Sequence, residues 1–146
     1  MTNLRVWCAD ANGKLGNRRR DDPKLNKIIG MNTMARTTEP GNGKRLQDIC
    51  IQRDLIPMNA WKRQHKQTKH EPGDISTWIH PCGKIKWQID YIMVSRIYRN
   101  CATRAHVIQE FKGSTEQQRR HAAVKLETCL RLKKQYFTTP KKDAGN

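Results

Sequence analysis

The run Lys86-Trp87-Gln88-Ile89-Asp90-Tyr91-Ile92-Met93-Val94-Ser95 constrains this chain more than any other stretch. From Trp87 to Val94 all its residues except Gln88 and Asp90 are β-branched, aromatic or apolar, which predicts a strand. Ile89, Tyr91 and Met93 fall on one face, and Asp90, Ile92 and Val94 on the other. Asp90 therefore shares a face with two apolar residues. A carboxylate in that position is costly unless another group bonds it, so the fold is expected to bring Asp90 a partner from elsewhere in the chain.

The rest of the chain supplies few comparable signals. Leu4, Val6, Trp7 and Cys8 predict a short buried strand that ends at Asp10, and from Gly13 to Pro40 the polar, Gly-, Asn- and Arg-rich composition predicts mostly loop, with "KLNKIIGM" as one short ordered piece. "NGKRLQDICIQRDL" places Leu46, Ile49 and Cys50 at helical spacing, starts at Asn42 or Gly43 and has Pro57 just past its end. After the breaker-rich basic loop "HKQTKHEPGD", "STWIH" predicts a strand leading into a Pro81-Cys82-Gly83 turn. Near the end, Val124, Leu126, Thr128, Leu130 and Leu132 alternate with polar or charged residues and with Cys129, which predicts a half-exposed strand opened by His121. The basic tail, residues 135–146, is expected to be disordered.

With 146 residues the chain is the size of one domain. Its 29 Lys and Arg against 13 Asp and Glu give a formal charge of +16, which points to a polyanion and above all to nucleic acid as the partner. The start "MTNLR" lacks the apolar region of a signal peptide and no apolar run has membrane-spanning length, so an intracellular location, nuclear or cytoplasmic, is expected, with no membrane partner. Cys8, Cys50, Cys82, Cys101 and Cys129 form an odd, scattered set without C-x-x-C, and are expected to be reduced thiols. His65, His70, His80 and Cys82 have spacings that fit no standard zinc finger, and no metal ligand is assigned.

Taken together, Asp10-x-Asn12 with the following "GKLG", then "NGKRLQDICIQRDLIPMN", "STW", "QIDYIMVSR" and a histidine opening the last strand are similar to one known pattern. The chain resembles the C-terminal half of an endonuclease/exonuclease/phosphatase domain over most of residues 4 to 134. The nearest flavour is the apurinic-type endonuclease of non-LTR retrotransposons and host derivatives such as the craniofacial development protein family. The resemblance implies an α/β fold, here a partial α/β sandwich with a mixed, mostly antiparallel sheet and a flanking helix. It also implies that the family's N-terminal half, with its metal-binding glutamate, has no counterpart in residues 1–134.

Residue by residue, the resemblance makes Asp10 the group that orients or deprotonates the attacking water and Asn12 the amide that bonds the scissile phosphate. On an extended chain, a spacing of two points both side chains to one side; Asp-x-Asn is equally at home in a turn, where such side chains bond their own backbone. Asp90 then orients the catalytic histidine, His121, which contacts the phosphate; a buried carboxylate on one ring nitrogen fixes the tautomer. Trp78 is expected to pack or to wall the site. Where the family has Ser-Asp before its histidine, this chain has Arg119 and Arg120, and a cation beside the site opposes Mg²⁺.

The implied ancestral activity is Mg²⁺-dependent hydrolysis of a DNA phosphodiester, with Mg²⁺ bound only where a complete site is assembled. A chain with half the domain is expected to be inactive alone, and to dimerise or take an N-terminal half-domain partner. The alternative is a non-catalytic nucleic-acid binder in which Arg18, Arg19, Arg20, Lys62 and Arg63, with the tail, clamp phosphates. A third reading is a degenerate product without a selected function.

Overall fold

The computed structural model describes residues 4–17, 21–61, 74–108, 115–116 and 120–129. In chain order these form β1 (Val6–Asp10), α1 (Asn42–Arg53), β2 (Leu55–Pro57), a one-turn α2 (Met58–Trp61), β3 (Trp78–Ile79), β4 (Lys86–Trp87), β5 (Asp90–Ser95), β6 (Ala102–Ile108) and β7 (Ala123–Thr128). Single 3-10 turns occupy Leu25–Lys27 and Arg96–Tyr98. The fold is mixed α/β, and its named strands pair antiparallel throughout: β1-β5-β2 in one sheet, β3-β4 and β6-β7 in two ribbons. Among the described residues no helix is long and apolar enough to cross a membrane.

The predicted single strand from Lys86 to Ser95 is two strands. Lys86–Trp87 pairs with β3, Asp90–Ser95 pairs with β1 and β2, and Gln88 and Ile89 form the crossover between sheets. The crossover backbone is satisfied on one side by the last step of the β1–β5 ladder, where the Ala11 N–H donates to the Ile89 carbonyl at 3.0 Å, and otherwise by side chains. The Thr77 hydroxyl oxygen accepts the N–H groups of both Ile89 and Asp90 at 2.9 Å. The Tyr91 hydroxyl donates to the Gln88 carbonyl at 2.7 Å and accepts the Leu15 N–H at 3.1 Å. Burial pushes the Tyr91 pKa upward, so its phenol remains a donor at neutral pH.

β5 is covered on both faces. Tyr91 and Met93 face a cluster formed with Leu46 and Cys50 of α1 and with Leu15, Leu25, Ile28 and Ile29. The last four come from residues 13–40, where composition predicts mostly loop: Leu25, Ile28 and Ile29 belong to the expected short ordered piece, in which the 3-10 turn Leu25–Lys27 forms, and Leu15 lies outside it, yet all four are buried in the core. Val94 faces a second cluster with Ile56, Met58, Ala102 and Ala105, against which Leu126 of β7 packs. Full burial of each large apolar side chain contributes about 1.5–3 kcal/mol.

α1 begins at Asn42, as its sequence predicts, and buries Leu46 and Cys50. It ends at Asp54, a non-glycine residue in the left-handed region (φ 52°) whose N–H donates to the Cys50 carbonyl, and the Arg96 guanidinium holds the Asp54 carboxylate at 2.6 Å. Pro57 therefore closes β2 rather than standing as the helix stop. The helix start is pressed onto the segment after β1. A Cβ at Gly13 would lie 2.5 Å from the Gly43 nitrogen, and one at Gly43 would lie 2.5 Å from the Lys14 carbonyl oxygen. Two glycines thus fix where the chain goes immediately beyond Asp10 and Asn12.

Arg18, Arg19, Arg20, Lys62, Arg63, His65, His70, Arg119, Leu130, Leu132 and the tail 135–146 lie outside the described residues.

Candidate functional site

β1 and β5 pair in a register that sets Asp10 directly opposite Asp90. Like charges at opposed positions of an antiparallel pair are destabilising, so the register itself calls for a compensating group. His121 supplies one. Its Nδ1 lies 3.1 Å from Asp90 Oδ2, and one ligand-type atom each from Asp10, Asp90 and His121 lie within 4.8 Å of one another.

The histidine is placed by the backbone. Residue 121 forms an antiparallel bridge with Trp78, and the Ala122 N–H donates to the Thr77 carbonyl at 2.8 Å. Thr77 is the hub of the site: its carbonyl anchors the entry to β7, and its hydroxyl accepts the two crossover N–H groups and bonds the Asp90 carboxylate. Burial pushes the Asp90 pKa upward, and repulsion from Asp10 acts in the same direction; the bonds from Thr77 and His121 oppose the shift. Asp90 is thus the desolvated member of the carboxylate pair, whereas Asp10 is exposed.

Asn12 departs from the expected geometry. β1 ends at Asp10, and Asn12 takes a left-handed conformation (φ 42°), so strand alternation does not carry through to its side chain. The Asp10 carboxylate accepts the Asn12 N–H at 3.1 Å, the local turn bond that Asp-x-Asn also allows. Asp10 and Asn12 consequently face adjoining clefts. Asp10, Asp90, Cys8, Ile92, Ala122 and Val124 line one of about 290 Å³. Asn12, Lys14, Glu39, Trp78, Trp87 and Ile89 line another of about 280 Å³. In the second cleft Lys14 Nζ stands 3.8 Å from the centre of the Trp87 ring and 3.6 Å from Glu39 Oε1. Trp78 is half-buried between the two, paired to Trp87 across β3-β4 and edge-on to His80 at 5.7 Å.

Of the two cations that sequence marked as obstacles to Mg²⁺, Arg120 has its guanidinium bound at 2.7 Å by the exposed Glu116 carboxylate, a surface pair that offsets its charge only in part, and Arg119 lies outside the described residues. Sequence assigned no metal ligand, yet the two carboxylates are the oxygen donors that Mg²⁺ or Mn²⁺ takes. Asp10 and Asp90 fit such an ion by chemistry and by mutual distance, whereas His121, an imidazole already bonded to Asp90, is not a donor that Mg²⁺ favours.

Compared with models of known protein families, with characterised protein sequences and with solved structures, the chain matches none.

Proposed function

We propose that Asp10, Asp90 and His121 form the phosphate-processing part of an endonuclease/exonuclease/phosphatase-type site that hydrolyses DNA phosphodiesters with a divalent cation. The observation that supports this reading is the register match of Asp10 with Asp90 beside a backbone-anchored His121. The clustered carboxylates are otherwise a repulsive pair, and the chain that carries them has a net charge of +16, which draws a polyanionic substrate.

In this reading the exposed Asp10 carboxylate accepts the proton of the attacking water, a role that contributes about 10²–10⁴-fold when the base is well placed. Asp90 orients the His121 ring through Nδ1, leaving Nε2 to meet a phosphate oxygen. Asn12, at the adjoining cleft, offers a neutral amide to the phosphodiester on that side. A bound divalent ion would be held by the Asp10 and Asp90 carboxylates and supply charge neutralisation at the phosphate oxygens. A second chain or an N-terminal half-domain would cover β1, whose Val6 and Trp7 are 47% and 44% exposed.

Plasmid nicking tests the reading. Half a domain led to the expectation of a chain inactive alone, and the gathering of Asp10, Asp90 and His121 argues against it: the full chain with supercoiled DNA and Mg²⁺ or Mn²⁺ is expected to nick, EDTA to abolish nicking, and Asp10→Ala to lower the rate at least 10²-fold, within the range above. Metal-independent cleavage, or an unchanged Asp10→Ala rate, would defeat it.

The net charge also supports a second reading, a basic protein that clamps phosphates without cutting. That protein binds DNA with an affinity that falls steeply with salt and shows no nicking under any metal.

A further inference from the structure

Five thiols are spread over the chain, and their positions differ sharply. Cys50 is fully buried against Met93 (Sγ to Sδ 3.7 Å), and burial pushes its pKa up to about 12, which makes it inert. Cys8 and Cys82 are exposed on separate elements, and Cys82 lies 3.0 Å from His80 Nδ1. Cys101 and Cys129 are different: their backbones are bonded to each other at the open ends of β6 and β7.

β6 and β7 pair with Ala102 opposite Thr128. One step outward along an antiparallel ladder, Cys101 stands opposite Cys129, and the ladder does continue, because the Cys129 N–H donates to the Cys101 carbonyl at 2.7 Å. Opposed residues of an antiparallel pair project to the same face, with Cα atoms about 4.5–5.5 Å apart. That spacing falls inside the window of about 4.4–6.8 Å that disulfides use. The Cys101 N–H donates to the Tyr98 carbonyl at 2.9 Å, so Cys101 is anchored to the turn before β6 and joined to Cys129 through its own carbonyl. Cys129 is exposed and Cys101 half-buried, which leaves one sulfur open to an oxidant and the other shielded but adjacent.

We propose that Cys101 and Cys129 are an oxidative modification site that closes to a cross-strand disulfide joining the ends of β6 and β7. The reaction is thiol–disulfide exchange with a small-molecule disulfide of the glutathione type. The Cys129 thiol loses its proton, its sulfur attacks the small disulfide, and one thiolate leaves with that proton. The Cys101 sulfur, deprotonated in turn, then attacks the mixed disulfide at Cys129, forms the protein disulfide and releases the second small thiol. Two protein thiols are oxidised and one small disulfide is reduced to two thiols. The staple ties down the ribbon that carries His121 at its other end, because β7 opens immediately after that residue.

The experiment equilibrates the full chain with defined ratios of glutathione and glutathione disulfide, blocks remaining thiols with N-ethylmaleimide, and maps peptides without reduction. The expected product is a Cys101–Cys129 cross-linked peptide lacking two hydrogens, with Cys50 alkylated only after denaturation. C101S is expected to convert that product to a glutathione adduct on Cys129, and the oxidised wild type is expected to melt at a higher temperature than the reduced form, a difference that C101S abolishes. Glutathione adducts on Cys129 with Cys101 still free in the wild type would overturn the proposal, as would a dominant linkage to Cys8 or Cys82. Loss of two thiols without a rise in melting temperature would overturn the staple.

Discussion

β1 and β5 lie side by side in one sheet, in register from Val6–Val94 to Asp10–Asp90, and live in opposite environments. Tyr91, Ile92, Met93 and Val94 of β5 are buried, whereas Val6, Trp7, Cys8 and Asp10 of β1 are exposed. β5 is the central strand and β1 an edge strand of this sheet. The carboxylate pair straddles that boundary, with desolvated Asp90 on the inner strand and Asp10 on the outer one. The difference teaches a division of labour: β5 fixes geometry by packing, and β1 presents a carboxylate and apolar surface to whatever approaches the sheet.

The largest effect that can break this comparison comes from the inner strand. Tyr91→Ala removes a buried ring, which costs about 3–5 kcal/mol for large aromatic truncations, and leaves the Leu15 N–H and the Gln88 carbonyl without their phenol partner. Tyr91→Phe keeps the volume and removes only the hydroxyl, so it is expected to cost about 1–3 kcal/mol. Urea denaturation read by tryptophan fluorescence measures both. A near-neutral Tyr91→Ala would mean that β5 is not the centre of the core.

Next in size is the hub beneath the site. Thr77→Val deletes the acceptor of the Ile89 and Asp90 N–H groups, and buried amides left unsatisfied cost about 1–3 kcal/mol. It also removes a bond that holds down the Asp90 pKa, so the carboxyl of Asp90, followed by carbon-13 NMR, is expected to titrate at a higher pH than in the wild type. Valine at 77 with an unmoved Asp90 titration would show that the threonine supports only the backbone.

The carboxylate pair itself gives a smaller effect with a definite sign. The folded-state pKa of Asp90 lies above its unfolded value, so the folded chain holds more protons between the two. Stability from this group is complete below the ordinary aspartate range, near about 3.9, and is lost as pH rises through the raised folded value. Asp10→Asn removes the repulsion that contributes to the shift, so Asp90 is expected to titrate lower and the loss of stability to shrink. His121→Ala acts oppositely and moves the Asp90 titration higher. An Asp90 titration unaffected by Asp10→Asn would place the two carboxylates further apart in solution than their register implies.

How much of this was legible in sequence depended on regularity. β5 and α1 were readable because their apolar residues repeat with the period of their element, and Asp90 stood out because it interrupts such a pattern. The break at Gln88 and Ile89 was not readable: the composition stays strand-like, and the switch between sheets depends on Thr77 and Tyr91 hydroxyls that arrive from other parts of the chain. Leu25, Ile28 and Ile29 were legible only as a short ordered piece, and Leu15 not at all as core, for a related reason, since an irregular segment buries single residues without any period. β6 carries Ala102 and Ala105 inward with Thr103 and Arg104 between them and His106 beyond, with a register shift after Ala102, and so lacks the unbroken run of larger apolar residues that marks β5. Within the site, sequence brought forward Asp10, Asp90 and His121, which the fold gathers, but not the part played by Thr77. The turn that separates Asn12 from Asp10 was one of two geometries the motif allows, and the close approach of Gly13 to Gly43 selects it.

The smallest effect probes the outer strand. Trp7 is 44% exposed, and substitutions on open surface away from special features stay within about 0.5 kcal/mol, so Trp7→Ala is expected to leave the urea midpoint of the dilute chain almost unchanged. The same substitution becomes informative when the protein is concentrated. If a second copy covers β1, wild-type stability rises with protein concentration by mass action, and Trp7→Ala removes that rise. The charge of +16 on each copy opposes such pairing most strongly at low ionic strength, because weak screening lets the repulsion reach over about 30 Å at 0.01 M salt. Concentration dependence that appears with added salt and disappears with Trp7→Ala would therefore assign the β1 face to a second copy. A midpoint that stays flat with concentration in both proteins and at both salt levels would leave that face to a different chain, one whose charge complements the basic surface rather than repeating it.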